Sequence, residues 1–302
     1  MRGRRTTVVI RGGGDLGSGV AARLARSGYG VVVLETAAPA VVRRTVAFAE
    51  AVFAGKASVE DLVGELMAAG SVEDRFETSE PGRIAGATGG QIAAERTVVP
   101  VVVDPDGGLL RSLRPAAVVD ARMAKRNLGT TRDDAPMVVA LGPGFEAGVD
   151  CDAVVETNRG HSLGRVLWSG HAESDTGIPA PVLGVAEERL VRSPATGTFR
   201  GCAAIGDLVA TGDVVGTVVS GARDPGCARD DVARVEARVR TSGMLRGLIA
   251  DGVVVREGQK IGDVDPRGSA VDPAAISDKA LAVGGGVLEA LLAMGVEPTQ
   301  PD

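Results

Sequence analysis

Short apolar runs alternate along the chain with glycine-rich or charged breaks. Val8–Ile10 leads into Gly12, Gly14 and Gly17; Val20, Ala21 and Leu24 then recur at helical spacing, and a second run, Val31–Leu34, ends in Glu35. This pattern predicts a strand, a glycine turn, a helix and a second strand tipped by a carboxylate. Further runs at Val98–Val103, Ala116–Asp120, Met137–Leu141 and Ala153–Glu156 predict more strands of the same sheet. Near the C-terminus, Ser277 or Asp278 starts a helix with apolar positions at Leu288, Leu291 and Leu292. Gly284-Gly285-Gly286 either weakens that helix or marks a close backbone approach.

A different pattern fills the C-terminal half. Residues 196–218 and 242–264 align without a gap at an offset of 46, pairing Gly197 with Gly243, Arg200-Gly201 with Arg246-Gly247, Gly206 with Gly252, and Gly212 with Gly258. Such agreement indicates an internal duplication, each copy reading as short strands joined by glycine turns. Two such halves resemble the barrel-sandwich hybrid of biotinyl and lipoyl carrier domains. A carrier needs a lysine in the hairpin between its halves, but the lysines here are Lys56, Lys125, Lys260 and Lys279, and residues 220–235 hold none. Biotin and lipoate are therefore excluded as attached groups.

The expected fold class is α/β: a Rossmann-like parallel-sheet domain over residues 1–185, a duplicated all-β barrel-sandwich domain over 186–268, and a helical segment, 269–302, packing back on the first. At 302 residues the chain is long enough for two domains. Its residues are 44% hydrophobic but only 2% aromatic, so Val, Ala and Leu must build the core. A net charge of −6 and the scarcity of aromatics argue against nucleic-acid binding. No apolar run is long enough to span a bilayer, and Thr6–Ile10 is too short for a signal-peptide core, which points to a cytoplasmic protein without membrane contact. Cys151, Cys202 and Cys227 are odd in number and widely spaced, so reduced thiols and no metal site are expected. Cys227 is either an exposed functional thiol or incidental.

Three stretches carry candidate chemistry. In the first, Gly12, Gly13, Gly14 and Gly17 match the spacing that lets a pyrophosphate approach a helix N-terminus, with Glu35 placed to hold a ribose hydroxyl. The alternatives are that Asp15 caps those N–H groups and repels a phosphate, and that Glu35 is a solvated strand end. In the second, Asp120, Arg122, Lys125 and Asn127 gather cations beside a carboxylate and an amide, while Gly142 and Gly144 bend the chain after another strand. In the third, Asn158, Arg159 and His161 bring donors and acceptors together. Arg122, Lys125 and Arg159 suit a small anionic ligand, with Asn127 and Asn158 orienting it; otherwise the charges are local ion pairs. His161 is either the candidate acid–base group or a satisfied structural histidine, and His171 lacks the same surroundings. The segment Gly170–Pro181 reads as a linker.

The stretches IRGGGDLGSG, VVDARMAKRN, LGPGFEAG, VVETNRGHSLGRV, DPR and ISDKALAVGGGVLEA, in that order, resemble the YqeB family. These are accessory proteins of the selenium-dependent molybdenum hydroxylase system, and the resemblance suggests kinship with XdhC-type accessory proteins. It implies maturation of a molybdenum hydroxylase, with that enzyme's subunit or its maturation proteins as partners. The ligand would be an anionic form of the molybdenum cofactor, either molybdopterin or its cytosine dinucleotide. Two other functions stay open: an enzyme using NAD(P) or a nucleotide on that cofactor, and a non-catalytic scaffold docking a hydroxylase subunit. A P-loop ATPase is disfavoured, because no G-x-x-x-x-G-K-[ST] is present.

Overall fold

The structure is a computed structural model that describes residues 6–77, 83–84, 96–175, 177, 179–220 and 233–299. Two compact units emerge. The first takes Met1–Pro39, Val46–Asp175 and Ala275–Asp302; the second takes Ala40–Thr45 and Thr176–Ala274.

The first unit is built on a ten-stranded sheet. In chain order its elements are β1 (Thr7–Arg11), α1 (Asp15–Arg26), β2 (Gly30–Glu35), α2 (Ala51–Ala54), β3 (Lys56–Val59), β4 (Leu62–Leu66), α3 (Ala69–Glu77), β5 (Arg83–Ile84), β6 (Arg96–Val103), α4 (Leu109–Leu113), β7 (Ala117–Asp120), β8 (Val138–Leu141), β9 (Ala153–Val155), β10 (Val166–Leu167) and, after the second unit, α5 (Asp278–Ala293). The strand order is β10-β9-β8-β7-β1-β2-β6-β4-β3, with β5 pairing β6. Alternate residues of β1 feed two cores. Val8 and Ile10 pack with α1 and α5, and Val9 packs with Leu109, Leu110 and Leu113 around α4. Burial on both faces explains why the central strands are unbroken apolar runs.

This architecture corrects the expected parallel Rossmann-like sheet, because the sheet is mixed. β3 pairs β4, β5 pairs β6, and β10 pairs β9, all antiparallel. The added strands have only two to four residues each, so they leave no run to read. β10 has two residues, and β3 alternates exposed and buried positions. A tight turn at Glu60, in the left-handed region with φ 52°, makes the β3–β4 hairpin.

The second unit contains β11 (Leu190–Arg192), β12 (Gly197–Gly201), β13 (Leu208–Val209), β14 (Val214–Ser220), β15 (Ala233–Arg238), β16 (Gly243–Leu248), β17 (Val254–Val255) and β18 (Lys260–Asp265). It is not the expected barrel-sandwich hybrid but two four-stranded antiparallel sheets, β11-β18-β16-β13 and β15-β14-β12-β17. Each sheet takes two longer strands from one repeat copy and the short strand of the other. β11 and β15, outside the repeat, then extend each sheet to four strands. The duplication is visible in atomic detail. A Cβ on Gly197 would lie 2.3 Å from the Val219 carbonyl oxygen, and one on Gly243 would lie 2.2 Å from that of Asp265, the equivalent residue. Phe199, Val218, Leu245 and Val264 share the core of this unit. No helix among the described residues is long and apolar enough to cross a membrane.

Candidate functional site

The candidate site lies at the carboxyl ends of the parallel strands, where the chain must turn and backbone groups lose their sheet partners. Gly12, φ 101°, ends β1, and a Cβ there would sit 2.9 Å from the Ala121 carbonyl oxygen and the Arg122 backbone. Gly142, φ 69°, ends β8 against the Thr157 hydroxyl and the Met123 methyl. Gly144, φ 106°, leaves no room for a side chain against Arg126 N, at 2.4 Å. The loops after β1, β7, β8 and β9 are thus in direct contact. Met123 and Lys125, with φ 54° and 61°, hold a left-handed backbone without being glycine, a strain that the packed neighbours must impose.

The glycine turn itself is occupied by the protein. Gly13 N–H donates to the Glu35 carboxylate at 2.8 Å, and the Gly13 carbonyl accepts from Ala49 N–H at 2.9 Å and the Ser18 hydroxyl at 2.9 Å. Glu35 also accepts from Thr36 N–H at 2.8 Å. A Cβ on Gly13 would meet Ala49 N at 2.9 Å, and one on Gly17 would meet the Gly12 carbonyl oxygen at 2.0 Å. These glycines let backbone meet backbone. The N-cap of α1 is Gly14, without a side-chain cap, and Asp15 is an acidic residue of the first turn. Both backbone groups of Gly13 are thus paired within the protein, and Glu35, expected to hold a ribose hydroxyl, accepts instead from the Gly13 and Thr36 N–H groups.

Beside it lies a buried ionic network. Asp120, 1% exposed, accepts from Arg122 Nη2 at 2.5 Å and from the Thr130 hydroxyl at 2.7 Å. Arg11, 5% exposed, donates to Thr130 Oγ1 at 3.1 Å and lies 3.5 Å from Asp134. Burial, reinforced by Arg122, lowers the pKa of the Arg11 guanidinium. Asn127 binds the backbone of Thr130 through both amide atoms, each at 2.8 Å. Asp120, Arg122 and Asn127 therefore brace one another. Sequence reading missed Arg11, although a lone arginine closing an apolar run before a glycine turn is a visible signal.

The remaining charged residues form exposed pairs. Lys125 pairs with Asp175, and the Asn158 amide donates to Glu173 at 2.5 Å. Arg159 holds Asp278, at the start of α5, through two bonds of 2.7 Å. His161 is exposed in the turn after β9, a turn whose Gly164 packs on the Ala282 backbone of α5. Glu156, 2% exposed, accepts from Asn158 N–H at 2.6 Å and Glu173 N–H at 2.7 Å. The His171 ring lies 3.1 Å from the Phe145 carbonyl oxygen. Residues 171–175, expected as linker, are thus a strap fastened to the loops after β7, β8 and β9. Burial, with Asp150 and Asp152 nearby, pushes the Cys151 thiol up to about 12, so it is an inert core residue. Cys227 lies outside the described residues. No group of three or more metal-ligating side chains occurs among the described residues.

The chain is 46% identical over 296 residues to the uncharacterized protein YqeB of Escherichia coli K12, covering 97% of this chain. The chain belongs to the YqeB family. It spans about half the length of that relative, 49%. No family model matches the chain. Among solved structures, a succinylglutamate desuccinylase/aspartoacylase from Rhodobacter sphaeroides has 16% identity and a TM-score of 0.26, over 87% of this chain and 85% of that one. An aspartoacylase family protein from Mesorhizobium loti has 10% identity and a TM-score of 0.26, over 86% and 84%. Likenesses at these scores decide neither fold nor chemistry, and none of them shows kinship between the YqeB family and XdhC-type proteins.

Proposed function

We propose that the protein binds an anionic pterin or dinucleotide form of the molybdenum cofactor while a selenium-dependent molybdenum hydroxylase is matured. The cofactor is its cargo. Family membership supports the reading, and one structural observation carries it. The loops after β7, β8 and β9 share one edge of the sheet, and Lys125 and Asn158 on that edge already hold carboxylates. Groups that hold a carboxylate suit a phosphate or carboxylate on a ligand. In this reading Arg122, Asp120 and Asn127 shape the loop, and Lys125 and Asn158 meet the anion. A scaffold that docks a hydroxylase subunit is the second reading, favoured by the packing of Ala49 into the glycine turn.

Thermal melting tests the choice. Wild type and Lys125→Ala would be melted with NAD, NADP, CTP, molybdopterin and its cytosine dinucleotide. The pterin species are expected to raise Tm, since a ligand at about 100 times its Kd adds roughly 2.7 kcal/mol. Lys125→Ala should lose most of that rise. A rise with NAD alone would favour an NAD-dependent enzyme, and no rise with any of them would favour the scaffold.

A further inference from the structure

We propose that the strap 171–175 is an internal competitor for the anion site, its two carboxylates standing in for the anionic groups of the ligand. This inference rests on the anion-site reading above. The strap is not a loosely laid connection. Glu173 N–H is bound by buried Glu156 at 2.7 Å, Glu173 Oε2 by the Asn158 amide at 2.5 Å, and Asp175 by Lys125. His171 is fixed on the Phe145 carbonyl. The strap therefore spans the loops after three adjacent parallel strands, where open sheets of this kind take their ligands.

Its chemistry matches that position. Of its five residues, HAESD, two are acidic, and both carboxylates point to the donor groups singled out for an anion. The two carboxylates are two residues apart, as a ligand with two oxyanion groups would present them.

Ala172 tucks the start of the strap into the core, but the Lys125–Asp175 pair beyond it is weak enough to exchange. The Lys125 side chain is 57% exposed and that of Asp175 39%, and ion pairs at such positions are screened by water. An incoming oxyanion of higher charge density would displace them. The closed state then lowers the apparent affinity by the fraction of molecules whose strap is seated. Glu156 serves as the anchor from which the strap is lifted, since its second bond, to Asn158 N–H, stays within the β9 loop.

The test uses the full chain and inorganic pyrophosphate, with citrate as a second probe to separate phosphate from carboxylate ligands. Calorimetric titration would compare wild type, Asp175→Asn, and the double variant Glu173→Gln/Asp175→Asn. Asp175→Asn is expected to bind about threefold to fivefold tighter and the double variant about tenfold tighter, with melting curves confirming that each folds. Hydrogen exchange gives an independent readout. Ligand should speed exchange at residues 172–175, where Glu173 N–H loses its bond, and slow it at 123–127. If wild type binds but the variants bind no tighter and exchange at 172–175 is unchanged, the strap is structural and the anion site stands. If neither wild type nor the variants bind either probe at millimolar concentration, the anion site falls and the competitor falls with it.

Discussion

At the residue scale, the buried carboxylates of the second unit give the clearest electrostatic consequence. Hydrogen bonding from Arg267 holds the Asp265 carboxyl down at about 2, against the rise that burial would cause, and Arg246 adds to the effect. For Asp263, burial pushes upward, but Lys260, Arg246 and Arg189 outweigh it and leave the carboxyl below its usual value. The first repeat copy has Thr217 and Val219 at the equivalent positions, so the sheet alone does not require these charges. A depressed folded-state pKa means stability that is complete above the unfolded value of 3.8 and lost as the pH falls towards 2. For Asp265 the sum is roughly 2 kcal/mol. Asp265→Asn leaves Arg267 and Arg246 facing a neutral amide and should cost about 3 kcal/mol at pH 7. Urea unfolding of both proteins between pH 6 and pH 2 checks this. The gap between them should narrow below pH 4, and a gap constant to pH 2 would contradict the assignment.

At the element scale, α5 shows what a sequence displays and what it hides. Its triple glycine reads equally as a weak point or as a contact. In the structure, Gly284 lies against Arg23 and Gly19 of α1, and a Cβ on Gly286 would be 2.1 Å from the Gly164 carbonyl oxygen, whereas one on Gly285 would meet nothing within 4 Å. Gly286→Ala should therefore destabilise by about 1–3 kcal/mol, as an overpacked site does. Gly285→Ala should stabilise by up to about 1 kcal/mol, because it removes only backbone freedom from a helix interior. Chemical denaturation of the two single variants reads both signs, and equal effects would refute the contact. The buried strands β1, β2, β6, β7, β8 and β9 lie where the apolar runs predicted them, because burial on both faces writes itself into the sequence. The antiparallel additions do not, since β5 and β10 have two residues each and β3 has four, too few to carry a pattern. The candidate site was legible as a set of loops but not as a set of partners. Asp120 with Arg122 is a local pair open to sequence reading, while Lys125 with Asp175 and Arg159 with Asp278 join residues 50 and 119 positions apart.

At the scale of the whole molecule, the first unit is assembled from three pieces of chain, and its last piece completes its core. α5 buries Ala280, Val283, Val287, Ala290 and Leu291, in one cluster with Val20, Leu24 and the β1 residues Val8 and Ile10. The terminal segment adds polar ties: Tyr29 Oη donates to the Val296 carbonyl at 2.7 Å, Thr6 N–H to Thr299 Oγ1 at 2.8 Å, and Ile276 N–H to Glu60 at 2.9 Å. The second unit has a separate core, centred on Phe199, Leu245 and Ile261, to which none of these residues contributes. Truncation after Ala274 should thus strip the first unit of one face of its core, with each large buried side chain worth about 1.5–3 kcal/mol. Val283, Val287 and Leu291 together then contribute about 4.5–9 kcal/mol, comparable with the whole stability of an ordinary domain. Hydrogen exchange read by mass spectrometry separates the units in one experiment. Peptides from β1, β2, β7 and β8 should exchange at the rate of an unfolded chain, while those from β12, β14, β16 and β18 keep their protection. Retained protection in β1 and β2 would mean that the sheet holds without its closing helix. Loss across both sets would mean that the second unit depends on the first for its folding, despite the core it builds alone.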